Sequence, residues 1–205
     1  MVAVPSNDME NTVAAKIRAT TEHFHDNDCA LLFCWSHDEC DRMAERLGWK
    51  GYHASIPLDE RSKSMKMWID GESPGLACTS MLNCCLDYPS VRTVFHLGQP
   101  RDAIDYYQAM GRAARNGEPG KSIVYYDPAR LKKVTGEDPY GAGVIYEMLK
   151  DNSICRRLRP GIFLDGFAVP CTMLPRAQLC DVCEAEATRV PPEGGPRHWV
   201  HIPIS

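Results

Sequence analysis

This chain of 205 residues lacks several features, and each absence narrows what it can be. No run approaches the roughly 20 apolar residues a helix needs to cross a bilayer, so no membrane partner is expected. The opening Met1-Val2-Ala3-Val4-Pro5-Ser6-Asn7-Asp8 has neither the basic nor the apolar segment of a secretory signal, which predicts an intracellular protein. There is no basic excess. The net charge of −4 excludes nucleic-acid binding by bulk charge and leaves only a local track of Arg and Lys. No internal repeat is visible. No complete phosphate-binding loop occurs: Gly117-Glu118-Pro119-Gly120-Lys121-Ser122 ends like one, but the position six before Lys121 is Arg115, not Gly. That segment reads as a turn entering a strand. An Asp-Glu-x-His metal and water site is also missing. His37-Asp38-Glu39 with the distant Cys180-x-x-Cys183 imitates a zinc deaminase signature, but the cysteine pair lacks the preceding Pro.

What is present is globular: 44% of residues are apolar and 24% charged. The 10 cysteines do not suit a disulfide framework in an intracellular chain. Cys29, Cys34, Cys40, Cys78, Cys84 and Cys85 lie in or beside apolar segments and read as buried thiols. Cys155, Cys171, Cys180 and Cys183 all fall in the last quarter of the chain and form a separate group.

Strands and helices alternate along most of the chain. Val13-Ala14-Ala15-Lys16-Ile17 can open a helix. Ala30-Leu31-Leu32-Phe33-Cys34-Trp35 is an unbroken apolar run, as expected for a strand covered on both faces. Ser36 followed by Glu39 is a capping box, and Cys40, Met43, Ala44 and Leu47 then recur at helical spacing until Gly48. A short strand over 51–54 and a helix over 59–69 follow, the helix carrying Met65, Trp68 and Ile69 on one side. Strands are predicted over 76–79, 91–97 and 123–126, with a helix capped by Asp102 between the last two. This alternation predicts an α/β parallel sheet with helices on both faces. Beyond Asp127 the pattern fades into a linker over 135–141 and a helix over 144–150.

The segment Gln108-Ala109-Met110-Gly111-Arg112-Ala113-Ala114-Arg115-Asn116-Gly117 carries the most chemistry. Two arginines three residues apart put two permanent charges on one side of a helical turn, which suits a triphosphate in transfer. The bland alternative is a pair of solvated arginines at a helix end.

This segment resembles the sixth motif of RecQ-like helicases, with Ala114 in place of a Gly and Asn116 in place of an Asp. Phe33-Cys34-Trp35-Ser36 is similar to the family's fourth motif, and Tyr52-His53-Ala54 with Glu60-Arg61 to the stretch that follows it. Thr79 to Pro89 resembles the fifth motif, and Val94-Phe95-His96 the next strand. The resemblance covers about residues 12 to 127, and its Asp-Tyr-Pro and Leu-Asp-Gly wording is closest to RecQ-like helicases of fungi. It implies the second RecA-like lobe of an ATP-dependent 3′–5′ DNA helicase, acting in the nucleus in DNA repair and recombination. By position, Arg115 is then an arginine finger with Arg112 supporting it, and Gln108, Gly111 and Asp87 lie at the nucleotide cleft. Ser36, Thr79 and Ser80 lie at strand ends, where hydroxyls and amides can hold DNA phosphates; simple capping is the alternative for these three. ATP and magnesium enter only with a first RecA-like lobe, supplied in cis or in trans. Asn83 and Cys85 replace two glycines of the family's fifth motif, a departure expected to weaken coupling between DNA and nucleotide.

Cys180-Asp181-Val182-Cys183 can chelate one side of a tetrahedral zinc shell. A redox pair normally follows a strand in a thioredoxin-like unit, and none is seen here. Uncoordinated cysteines remain the other reading of the residues alone. The resemblance implies structural zinc on Cys155, Cys171, Cys180 and Cys183, since the family follows its motor with Cys-Arg-Arg, a stretch like Phe163-Leu164-Asp165-Gly166, a Cys and then Cys-Asp-x-Cys. Pro160 is expected to interrupt a helix that the family continues there.

The expected organisation is a polar segment with a helix over 1–28, a RecA-like lobe over 29–134, a small helical zinc-binding subdomain over 135–189 and a loosely ordered tail over 190–205. The lobe is expected to be inactive alone. The competing expectation is a non-catalytic or degenerate module that binds nucleic acid or protein through the sheet and the zinc platform.

Overall fold

Ala30, Leu31, Leu32 and Phe33 are all apolar, and only a strand covered on both faces can hide every one of them. In the computed structural model they do form the central strand, β2 (Cys29–Phe33), buried at each position. The described residues are 1–25, 27–84, 88–115, 117–175 and 177–189.

Among them the chain runs β1 (Val2–Ala3), α1 (Met9–Thr21), β2, α2 (His37–Leu47), β3 (Lys50–Tyr52), α3 (Leu58–Ile69), β4 (Gly75–Cys78), a 3-10 turn Ser80–Cys84, β5 (Val91–Leu97), α4 (Ala103–Met110) and β6 (Lys121–Tyr126). Three helices follow: α5 (Ala142–Lys150), α6 (Leu158–Asp165) and α7 (Asp181–Arg189). The strands form one sheet in the order β1-β6-β5-β2-β4-β3, and every pairing is parallel. The two faces are separately packed. Val13 and Ile17 of α1 and Cys40, Met43 and Leu47 of α2 cover one side. Trp68 of α3 and Ala109 of α4 cover the other, over Leu31, Leu76 and Val94. The α/β expectation with helices on both faces is met.

Local chemistry sets the helix ends. The Ser36 hydroxyl accepts from the Glu39 amide at 3.1 Å, and Gly48 closes α2 with a left-handed φ of 71°. The expected capping box is only half formed, because the Glu39 carboxylate reaches past Ser36 and accepts from the Trp35 amide at 2.7 Å. Asp102 caps α4 by accepting from Asp105 at 2.8 Å. Of the three residues expected on one side of α3, Trp68 is buried and Met65 packs beside it, whereas Ile69 is 42% exposed.

The N-terminal segment holds more order than its polarity suggests. Val2 and Ala3 add a parallel edge strand beside Tyr125 and Tyr126. Glu10 of α1 accepts from Arg42 and Arg46 of α2 at 2.8 and 3.1 Å, tying the two helices together. At the other end, Ile145, Met148 and Leu149 of α5 share a buried cluster with Tyr106 of α4 and Tyr126 of β6. The Tyr126 hydroxyl also donates to the Leu149 carbonyl at 2.9 Å. The helical segment after the sheet is therefore fastened to it by core packing.

Pro160 does not break a helix. Helix α6 begins at Leu158, so Pro160 occupies its first turn, where the missing N–H has no partner to lose. The tail from 190 onward lies outside the described residues.

Candidate functional site

Parallel strands give the sheet two chemically different edges, and the candidate residues divide between them. The turn after α4 belongs to the edge where β5 begins: the Ala114 amide donates to the Val91 carbonyl at 3.0 Å. Gln108 near the end of α4 and Gly111 and Arg115 in the turn after it are exposed, while Arg112 is half-buried. The Arg115 Nε donates to the Gly111 carbonyl at 3.1 Å, which fixes the root of its side chain and leaves the group at the surface. Ala114 holds a left-handed φ of 62°, a conformation that explains why a glycine suits this turn. Asp87 and Cys85 lie outside the described residues, as does the side chain of Asn83.

Ser36, Thr79 and Ser80 lie at the opposite edge, at the carboxyl ends of β2 and β4. These strands are neighbours, with Phe33 level with Cys78. Ser36 is exposed, but its oxygen is engaged in the cap; Thr79 is buried; Ser80 opens the 3-10 turn. A strand of the length of β5 separates the two edges by roughly 20 Å. The segment that resembles the fifth motif leaves β4 at one edge and rejoins the sheet at Val91 on the other, with Leu82 buried in the same cluster as Ala109 of α4.

The carboxyl edge holds groups that sequence reading did not single out. Crossovers from β2 and from β5 depart in opposite directions and onto opposite faces, which opens a crevice between the ends of these two strands. Ser80, Tyr106, His96 and Trp35 are among the residues lining it. Trp35 is 45% exposed, and its indole N–H donates to the Gln99 carbonyl at 2.5 Å. The Arg101 guanidinium and the Lys132 ammonium each lie over the indole, at 5.6 and 5.4 Å from the ring centroid. Gln99 in turn pairs with the Lys132 backbone in both directions, at 2.8 and 3.1 Å. His96 stacks on Phe33 at 5.4 Å, and burial pushes its pKa down to about 3, so the ring is neutral. His37, the first residue of α2, stacks on His53 at 4.4 Å, with Ser55 bonded to the first and Asp41 to the second. These groupings are invisible in sequence because 35, 101 and 132 are far apart along the chain.

The four late cysteines come together. Their sulfurs lie within 4.8 Å of one another, in a group that could hold a metal ion. Cys155 is 3.3 Å from Cys171 and 3.9 Å from Cys180, close to the roughly 3.8 Å edge of a zinc–thiolate tetrahedron. All four are free thiols. Burial raises Cys155 and Cys183. Burial also pushes Cys180 up, but amide hydrogen bonds from Cys183 and Arg156 and its thiol neighbours outweigh this and bring it to about 7. The donor set, all sulfur and mostly buried, fits a soft or borderline cation such as zinc. Beside it, the buried Arg156 pairs with Asp181 at 2.9 Å and donates to Asp151 and Asn152 and to the Met148 carbonyl, which locks the cluster to the end of α5.

An all-parallel six-stranded sheet with helices on both faces is the fold of the second RecA-like lobe of helicases. The chain belongs to the family described as the helicase conserved C-terminal domain, which matches residues 14–117. Its relatives are RecQ-like DNA helicases. The RecQ-like DNA helicase BLM of Xenopus laevis is 32% identical over 119 residues, covering 54% of this chain and 9% of that protein. The ATP-dependent DNA helicase RecQ of Pasteurella multocida is 28% identical over 173 residues, covering 75% of this chain and 26% of that one. Against the helicase Q1 relatives of two Caenorhabditis species, the match takes in 85% of this chain but only 30% and 29% of their length. Among solved structures, the helicase Lhr of Mycobacterium smegmatis superposes with a TM-score of 0.53 at 20% identity, over 62% of this chain and 19% of that one. Dbp5 of Saccharomyces cerevisiae gives 0.54 at 18%, over 62% and 34%. These two likenesses establish the fold. No helix among the described residues is long and apolar enough to cross a membrane.

Proposed function

We propose that this chain supplies the second lobe of a RecQ-like 3′–5′ DNA helicase and does not hydrolyse ATP alone. A first RecA-like lobe, in cis or in trans, holds ATP and magnesium. Arg115 is the arginine finger that meets the charge developing on the transferred phosphoryl group. Arg112 steadies it, and Gln108, Gly111 and Asp87 complete this side of the cleft. Ser36, Thr79 and Ser80 face the DNA backbone at the other edge, with amides and the Ser80 hydroxyl as the contacts. Zinc on Cys155, Cys171, Cys180 and Cys183 contributes folding energy and no chemistry. The setting, as the resemblance implies, is the nucleus, in DNA repair or recombination.

The observation that carries this reading is the exposure of Gln108, Gly111 and Arg115 at the end of α4 and in the turn that follows it, which is tied to the start of β5. It is tested by DNA-stimulated ATPase activity of the chain alone and with the first lobe of a RecQ-like relative added. No turnover is expected alone. Turnover with the added lobe should fall about 1,000-fold in Arg115→Ala. Turnover by the chain alone that survives Arg115→Ala overturns the proposal.

A further inference from the structure

Trp35 is a large apolar ring left half in water at the edge where Ser36, Thr79 and Ser80 lie. It is not loose: its indole N–H is bonded to the Gln99 carbonyl, so the plane of the ring is set before any ligand arrives. Two cations from different parts of the chain hover over it, Arg101 from the loop after β5 and Lys132 from the segment after β6. Gln99 organises both, since its carbonyl holds the ring and its side-chain amide holds the Lys132 backbone. Asp105 lies 3.7 Å from Arg101 and offsets part of its charge. In a chain of net charge −4, cations gathered round an exposed indole mark a ligand with both a negative charge and a flat face. The crevice beside the ring opens where crossovers diverge at the carboxyl ends of the strands, the usual seat of ligands in such sheets.

We propose that Trp35, Arg101 and Lys132 form a stacking step on the single-strand path. The indole takes the face of one base of single-stranded DNA, and the two cations swing from the ring to the phosphates on either side of it. The step rests on the reading of the carboxyl edge as the DNA side and adds to it a base contact that the hydroxyls cannot make. Because a ring face recognises any base, the contact favours single strands without reading sequence.

The test uses the full chain and a short oligothymidylate, beside an abasic oligomer of the same length and charge. In a Trp199→Phe background, tryptophan emission should be quenched by the intact oligomer, and much less when Trp35→Phe is added, since Trp49 and Trp68 are buried. Binding should weaken about tenfold in Trp35→Leu. Trp35→Phe keeps a ring and should stay within about threefold, which separates stacking from loss of fold. Wild type should bind the abasic oligomer about as weakly as Trp35→Leu binds the intact one. Arg101→Ala with Lys132→Ala should lower the slope of log affinity against log salt by about 1.4. If wild type binds the strand but neither Trp35→Leu nor loss of bases weakens it, the step is wrong and the DNA reading of this edge stands. Failure of the wild type to bind any strand at low salt removes both, while the Arg115 experiment still reports on the nucleotide side. Equal binding of an acidic peptide at Trp35 also overturns the step.

Discussion

Ala114 and Gly120 share one small space: a Cβ placed on Gly120 would lie 2.7 Å from the Cβ of Ala114. Ala114 also holds a left-handed φ of 62°, which only glycine adopts freely. The turn that presents Arg115 thus carries strain on one side and relieves crowding on the other. Ala114→Gly should stabilise the fold by about 0.5–1 kcal/mol. Gly120→Ala should destabilise it by about 1–3 kcal/mol, and less when Ala114→Gly is also present. Urea unfolding of the four members of the cycle reads the coupling directly.

The cysteine cluster should bind one zinc ion per chain, measurable by elemental analysis after dialysis. Ser in place of Cys171, which is buried, should abolish retention and lower the melting temperature. Chelation of the wild type should reproduce that loss, and addition of zinc should reverse it.

Arg156 should matter to stability more than a surface charge does, because its side chain is only 8% exposed while donating to several oxygens. Arg156→Ala leaves those acceptors unmet and should cost about 2–3 kcal/mol, discounted because Asp181 is partly in water. Arg156→Lys should recover little, since one ammonium cannot span carboxylate and carbonyls together. Chemical denaturation at fixed zinc concentration checks both.

His96 predicts an acid-sensitive sheet. Its pKa is about 3 in the fold, from burial, against about 6.5 when unfolded, so the fold prefers the neutral ring. The stability this allows is complete above pH ~6.5 and is lost as pH falls toward 3, at up to about 1.4 kcal/mol per unit. His96→Phe should flatten that limb of the stability–pH curve and leave the neutral limb nearly unchanged. An equal slope in both proteins would show that other groups carry the acid response.

Much of this fold was legible because its signals are local. The run Ala30–Phe33, the Ser36 and Asp102 caps and the helical spacing from Cys40 to Leu47 each act within a few residues. Strand β1 was not, since two residues carry no period and Val2 and Ala3 are strand only because β6 lies beside them. Helices α6 and α7 were expected only as a small helical subdomain and their bounds were not placed, for a related reason: cysteines and Arg156, joined across as many as 28 positions, hold their ends in place of an apolar stripe. Spacing draws attention to the arginine pair and grouping to the four cysteines, but in both cases the bland reading stays open until the family resemblance is weighed. Trp35, Arg101 and Lys132 carry no such signal, because only the return of β5 and β6 to the same edge brings them together.

In a sheet whose strands all point one way, a chain that finishes one strand must travel back before it can start the next. Among the described residues, the passage from Cys78 to Val91 holds a 3-10 turn, Ser80–Cys84, pressed on α4 at Leu82. Leu82 thereby packs the segment that leaves the serine edge onto α4, which carries Gln108 and leads into Arg115.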